Sequence, residues 1–286
     1  MHQNKITALF GLKWNPFIGE LPREGLIPTE SIERFTWKIE NLVMDGGFAL
    51  ITGDPGYGKS VALRQVFERI ATVRDVSVGV LSRPQSSIAD FYRELGQLFG
   101  VDLKTSNRFG GYNSLRVKWK RHLESSQLRP VLFIDEAQEM PTVTLNELRL
   151  LASMHFDCQT ILTVILAGDG RLTDRFRSAD LAPLGSRIRT RLIMEPKTND
   201  EMIEFLRELT SRAGNPSLVS DGLMRTLADH SAGNYRVLAT MANELLSEAI
   251  LRDHRQLDED LFFDTYKSIK RSVKKTSKTK LQGAMQ

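Results

Sequence analysis

The sequence predicts an α/β fold, a doubly wound parallel sheet of five strands followed by a small all-helical domain. Three observations carry this. A glycine-rich octapeptide, Gly53-Asp54-Pro55-Gly56-Tyr57-Gly58-Lys59-Ser60, separates a strand-like apolar run from a helix-like amphipathic one. Short apolar runs then alternate with helical patterns as far as Pro196. Beyond Pro196 the strand-like runs cease, and about 75 residues read as helix alone.

The elements follow in chain order. Residues 47–52, Gly-Phe-Ala-Leu-Ile-Thr, form a continuous apolar run, as a strand buried on both faces requires. The octapeptide comes next, then a helix over 60–70. Val76–Leu81 reads as the second strand. Residues 87–99 read as a helix with Ile88, Phe91, Leu95 and Leu98 on one face. Residues 107–113 are turn-rich, and Leu115–Leu123 is helical. Pro130–Ile134, Ile161–Leu166 and Arg191–Met194 read as the third, fourth and fifth strands. Thr198-Asn-Asp-Glu201 is a capping box that opens a helix to about Arg212. Further helices fit Ser220–His230, Asn234–Leu251 and Asp258 to about Arg271. The expected division is an N-terminal segment (1–45), an α/β domain (46–196), a helical lid (197–271) and a basic, disordered tail (272–286).

Composition narrows the function classes. The single cysteine, Cys158, excludes an internal disulfide framework and a cysteine-based zinc site. No apolar run approaches the roughly 20 residues that span a bilayer, and the N-terminus has no signal-peptide core. A soluble, cytoplasmic protein without membrane contact is expected. The net charge of +4 is unevenly spread. Residues 267–280 hold seven Lys and Arg with no acid, and Lys104, Arg108, Arg116, Lys118, Lys120 and Arg121 form a second acid-free cluster. The rest of the chain is net acidic. Such concentration points to a polyanionic partner, the alternative being a solvated tail and a solvated helix face. Trp119, inside the second cluster, either stacks on nucleic acid or packs in the core.

The octapeptide fits G-x-x-x-x-G-K-[ST], the phosphate-binding loop of nucleotide triphosphatases. Its glycines let backbone N–H groups turn toward phosphates, and the following helix start adds positive potential. Gly53 to Ser60 and Val61 should contact nucleotide, Lys59 should reach the β- and γ-phosphates, and the Ser60 hydroxyl should ligate Mg²⁺. The third strand delivers Asp135 and Glu136 at its C-terminal end, where Asp135 should hold Mg²⁺ through water and Glu136 should orient and polarise the attacking water. ATP and Mg²⁺ are therefore the expected cofactors. Asp169, after the fourth strand, is the candidate γ-phosphate sensor. Arg187, then Arg189, are candidate fingers reaching a neighbouring subunit's nucleotide, while Arg191 could be sheet edge. Arg236 opens a lid helix and could fold back onto the nucleotide or cap the surface. Asp135-Glu136-Ala137-Gln138 is also similar to helicase boxes, but such helicases need two lobes and this chain has room for one.

Together these residues resemble an AAA+ ATPase over roughly residues 8–270. Leu9–Phe17, Ile134–Gln138 and Gly233-Asn-Tyr-Arg236 are similar to the ExeA-like branch, where Pro16 and Phe17 would border the adenine pocket. Without a membrane segment or a peptidoglycan-binding extension, the chain looks like the transposon-encoded target-selection ATPases of the TnsC, MuB and IstB class. The resemblance implies oligomers on duplex DNA, as rings or filaments of about six or seven subunits per turn, that mark a target and recruit a transposase, with a targeting protein as a further partner. It also implies that Lys104, Arg108, Asn113, Arg116, Lys118 and Lys120 face the DNA, through sequence-independent backbone contacts. The other readings are a secretion-type envelope ATPase, a replication initiator or loader, and a non-enzymatic nucleotide-clamped adaptor. Glu136 argues against the last.

Overall fold

The computed structural model describes residues 7–101, 108–125, 128–154 and 159–266. The basic tail, Lys104 and Cys158 lie outside the described residues, and of Arg108 only the backbone is described. The chain forms two compact units: residues 28–195, and the residues up to Ile27 together with those from Pro196. The division differs from the sequence-based one in that residues 28–45 group with the sheet.

The first unit contains helices α1 (Glu30–Asp45), α2 (Lys59–Ile70), α3 (Ile88–Phe99), α4 (Arg108–Ser125), α5 (Thr142–Ala152), α6 (Gly170–Arg177) and α7 (Ala182–Gly185). Its strands are β1 (Gly47–Gly53), β2 (Val76–Leu81), β3 (Arg129–Ile134), β4 (Thr163–Gly168) and β5 (Ile188–Met194). They form one parallel sheet in the order β2-β3-β4-β1-β5. Strand periodicity sorts the side chains cleanly. Phe48, Leu50, Leu132, Ile134, Val164 and Leu166 pack one face against α3, α4 and α5, including Phe91, Leu95, Trp119 and Leu148. Ala49, Ile51, Val131, Phe133, Ile165 and Ala167 pack the other against α1 and α2, including Phe35, Ile39, Leu63 and Val66.

Two strands differ from expectation. β4 starts at Thr163 rather than Ile161, because Gln159–Thr160 pairs with Ser153–Met154 in a short antiparallel ribbon. β5 starts at Ile188, three residues early. It is an edge strand, so only alternate residues (Ile188, Leu192, Met194) are buried while Arg189 and Arg191 face out. That half-polar alternation hides an edge strand from a search for apolar runs.

In the second unit, α8 (Asn199–Arg212), α9 (Asp221–Ser231), α10 (Tyr235–Leu251) and helical residues 7–10 and 259–266 enclose a separate core. Met202, Leu206, Leu227, Leu238 and Leu245 are fully buried there, with Phe10 and Phe17 packed among them. The capping box is present, with Glu201 N–H donating to Thr198 Oγ1 (3.3 Å) and Thr198 N–H to Glu201 Oε2 (2.9 Å). The isolated parallel bridge Val219–Leu257 ties the start of α9 to the chain after α10.

Candidate active site at the C-terminal edge of the sheet

Parallel pairing aligns the C-terminal ends of the strands. Thr52 lies opposite Gly168, Gly53 opposite Met194, and Ile134 opposite Leu166. The octapeptide, the Asp135-Glu136 pair and Asp169 therefore leave the same edge of the sheet, where ligands of open α/β sheets bind. Register, not sequence proximity, assembles them.

Between β1 and α2 the chain turns tightly, with Tyr57 N–H donating to Asp54 O (3.3 Å). Gly56 and Gly58 hold φ of 90° and 91°, conformations open to glycine and costly to other residues. Gly58 is the N-cap of α2 and offers no side-chain acceptor, so no side chain caps the first N–H groups of the helix. Asp54, Pro55, Ser60 and Val61 are exposed, Tyr57 is half-buried, and Lys59 is 7% exposed. The Lys59 ammonium donates to Asp54 O at 3.1 Å, a backbone carbonyl within the same loop.

Opposite, Asp135 is half-buried and its Oδ1 accepts the Glu136 N–H at 2.9 Å. Glu136 has φ 50° and ψ 38°, a left-handed conformation rare for a residue with a side chain. Its carboxylate Oε2 accepts from Gln138 Nε2. Gln138 is buried, and its Oε1 accepts the Asp169 N–H at 3.3 Å. The Asp169 carboxylate caps α6, accepting Arg171 N–H at 3.0 Å, and pairs with the Arg171 guanidinium at 2.8 Å. Arg171 also holds Glu139 at 2.7 Å. The hydrogen bond from the Arg171 side chain holds the Asp169 carboxyl below its ordinary range, and the Lys59 charge adds to this. Gln138, Arg171 and Arg175, whose guanidinium donates to Gln138 O at 2.6 Å, had no role in the sequence reading. The only signal was the Ala137-Gln138 continuation of the acidic pair.

The candidate fingers divide. Arg187 donates to Pro183 O and Arg191 to Gly185 O (3.2 Å), so both are engaged at the end of α7. Arg189 has a side chain more than half exposed and lies 3.9 Å from Asp45. Arg187, the first choice, is half-buried, and Arg189, the second, is exposed. Arg236 is exposed in the first turn of α10, its N–H and that of Val237 accepted by Asn234 Oδ1 (3.0 and 3.1 Å). Pro16 and Phe17 are buried in the helical unit, where Asn15 Oδ1 accepts the Phe17 N–H (2.9 Å) and Asn15 Nδ2 donates to Asn243 (2.9 Å).

The basic cluster is also divided by the structure. Arg116 donates to Leu150 O (2.8 Å) and Ser153 O at the end of α5, and stacks 5.0 Å from the Tyr112 ring. Lys118 donates to Gly100 O (2.9 Å) at the end of α3. Both cations meet carbonyls at helix C-termini, an arrangement favoured by the helix dipole. Burial, then the charges of Lys118 and Arg121, push the His122 imidazole below its ordinary value. Trp119 is core, edge-on to Phe99 at 5.2 Å. Asn113, Lys120 and Arg121 face out.

Comparison with known proteins follows the same residues. Residues 43–176 match the family model described as AAA domain. The chain is 25% identical over 266 residues to General secretion pathway protein A of Aeromonas hydrophila, covering 91% of this chain and 48% of that protein. It thus spans about half the length of that relative. It is 26% identical over 261 residues to the ATP-dependent target DNA activator B of Escherichia phage Mu, covering 87% of this chain and 78% of that protein. Among solved structures, Drosophila ORC bound to DNA shares the fold with a TM-score of 0.68 at 15% identity, over 92% of this chain and 65% of that one.

Proposed function

We propose that this chain, whose residues 43–176 match the AAA domain model, is a Mg²⁺-dependent ATPase that assembles on duplex DNA and regulates transposition. The observation that carries the reading is the match over 78% of the phage Mu activator together with the residues at the sheet edge. The donor set suits Mg²⁺-ATP. Ser60 offers an exposed hydroxyl and Asp135 a half-buried carboxylate, a sparse oxygen set of the kind Mg²⁺ uses when phosphates and water supply the rest. Bound Mg²⁺ would neutralise charge on the phosphate oxygens. Lys59, which donates to the Asp54 carbonyl, transfers its N–H donors to those oxygens. The Glu136 carboxylate takes a proton from water as the water oxygen bonds to the γ-phosphorus. The bond to the ADP oxygen breaks, and ADP leaves with the electron pair. Arg189 of a neighbouring copy is the better-placed finger. Asn113, Lys120 and Arg121 supply sequence-independent phosphate contacts, and transposase recruitment follows assembly.

Electron microscopy of the pure protein with duplex DNA tests this, comparing no nucleotide, ADP and a slowly hydrolysed ATP analogue. Rings or filaments on DNA only with the analogue are expected. No DNA-dependent assembly in any state would overturn the reading. It would favour the secretion reading, which the 91% coverage of this chain by General secretion pathway protein A supports. Among the described residues, no helix is long and apolar enough to cross a membrane.

A further inference from the structure

We infer that Gln138 is a positioning residue that fixes the Glu136 carboxylate and links it to the end of β4. The inference rests on the proposed role of Glu136. The backbone, the hydrogen bonds and the packing around Gln138 support it. Glu136 sits in the left-handed region, with its carbonyl accepting the Glu139 N–H at 2.9 Å. Such a backbone persists only where its surroundings hold it, and it commonly marks a functional position. The Gln138 side chain is buried and uses both ends, Nε2 on Glu136 Oε2 and Oε1 on the Asp169 N–H. The orientation of the amide is determined by chemistry. A backbone N–H can only donate, so Oε1 must face Asp169 and the NH₂ must face the carboxylate.

The site is also built to hold this side chain. Arg175 clamps the Gln138 carbonyl at 2.6 Å and reaches Thr142 Oγ1 at 3.2 Å. Gly168 leaves the space, because a Cβ there would lie 2.6 Å from Gln138 Oε1 and 2.8 Å from Leu172. A donor on a carboxylate limits its rotamers, which is what a base waiting for water needs. The same amide ties Glu136 to Asp169, so movement at the end of β4 reaches the base directly.

Two variants separate this from a packing role. Gln138→Met keeps the length and removes both hydrogen bonds. Gln138→Glu keeps an acceptor for Asp169 and replaces the donor with a like charge. Steady-state ATP hydrolysis with duplex DNA, affinity for a fluorescent ADP analogue and thermal melting are measured for both. We expect kcat to fall by about tenfold or more in each, with KM and ADP affinity within about twofold of wild type. Adding Gln138→Met to Glu136→Gln should cause no further loss, because a residue acting through Glu136 has nothing left to position. Wild-type kcat in Gln138→Glu beside an inactive Glu136→Gln would overturn this inference alone. So would an additive double variant, or a joint loss of kcat, ADP affinity and melting temperature. Wild-type hydrolysis by Glu136→Gln would sink the parent reading and this one with it.

Discussion

Arg116 lies in the most basic part of the described chain, and its replacement should cost stability rather than DNA affinity. Its guanidinium meets Leu150 O at 2.8 Å and Ser153 O, with a weaker contact to Leu151 O at 3.4 Å. These carbonyls end α5 and have no partners within the helix. A hydrogen bond from a charged donor is worth about 1.5–3 kcal/mol, and a cation at a helix C-terminus about 0.3–1 kcal/mol more. Ordering a long side chain offsets part of this, and the contacts share one donor nitrogen, so the sum is well below additive. We expect Arg116→Ala to destabilise the α/β unit by about 2–3 kcal/mol. For a unit of this size that lowers the melting temperature by roughly 4–12 °C. Thermal melts give the first number. DNA titrations across salt, well below the melting temperature, give the second, where the slope of log affinity against log salt should match wild type. A wild-type melt with a slope reduced by about one phosphate contact would refute the reasoning and return Arg116 to the DNA surface.

Three further outcomes are expected. Arg121→Glu, on the exposed side of α4, should weaken DNA binding and flatten its salt dependence without changing the melting temperature. Lys120→Glu should weaken binding and also lower the melting temperature slightly, because it turns the 3.7 Å ion pair with Glu124 into a like-charge pair. Gly233→Ala should destabilise the helical unit by about 1–3 kcal/mol by thermal melting. Gly233 holds φ 75°, and a Cβ there would lie 2.4 Å from Lys197 O and 2.5 Å from Lys197 N. Glu201→Gln should destabilise at neutral pH. The Lys197 hydrogen bond first, then the Thr198 N–H, hold the Glu201 carboxyl below its ordinary 4.5. A depressed carboxyl contributes stability that is present above its unfolded value and lost as pH falls through the lower folded one. The gap between Glu201→Gln and wild type in urea melts should therefore close in acid.

Some of this molecule is written in local chemistry. The octapeptide, the buried strands β1 and β3, the Asp135-Glu136 ending and the Thr198–Glu201 capping box depend on neighbours in the chain, so residue order alone predicts them. Other features depend on partners distant in sequence. Edge strand β5 carries arginines on its open side because only one face is covered, and no local run of residues records that. Lys and Arg look alike in a charge count, yet Arg116 and Lys118 reach the ends of α5 and α3 while Lys120, one turn further round the helix, faces out. Gln138 reads as a neutral polar residue until parallel register brings Gly168 and Asp169 beside it. The sequence by itself determined the candidate groups for phosphate and water chemistry, because such groups are picked out by type and short spacing. Only the tertiary structure decided which cations meet helix ends and which side chain hydrogen-bonds to Glu136, because hydrogen bonds between elements are set by sheet register and helix packing.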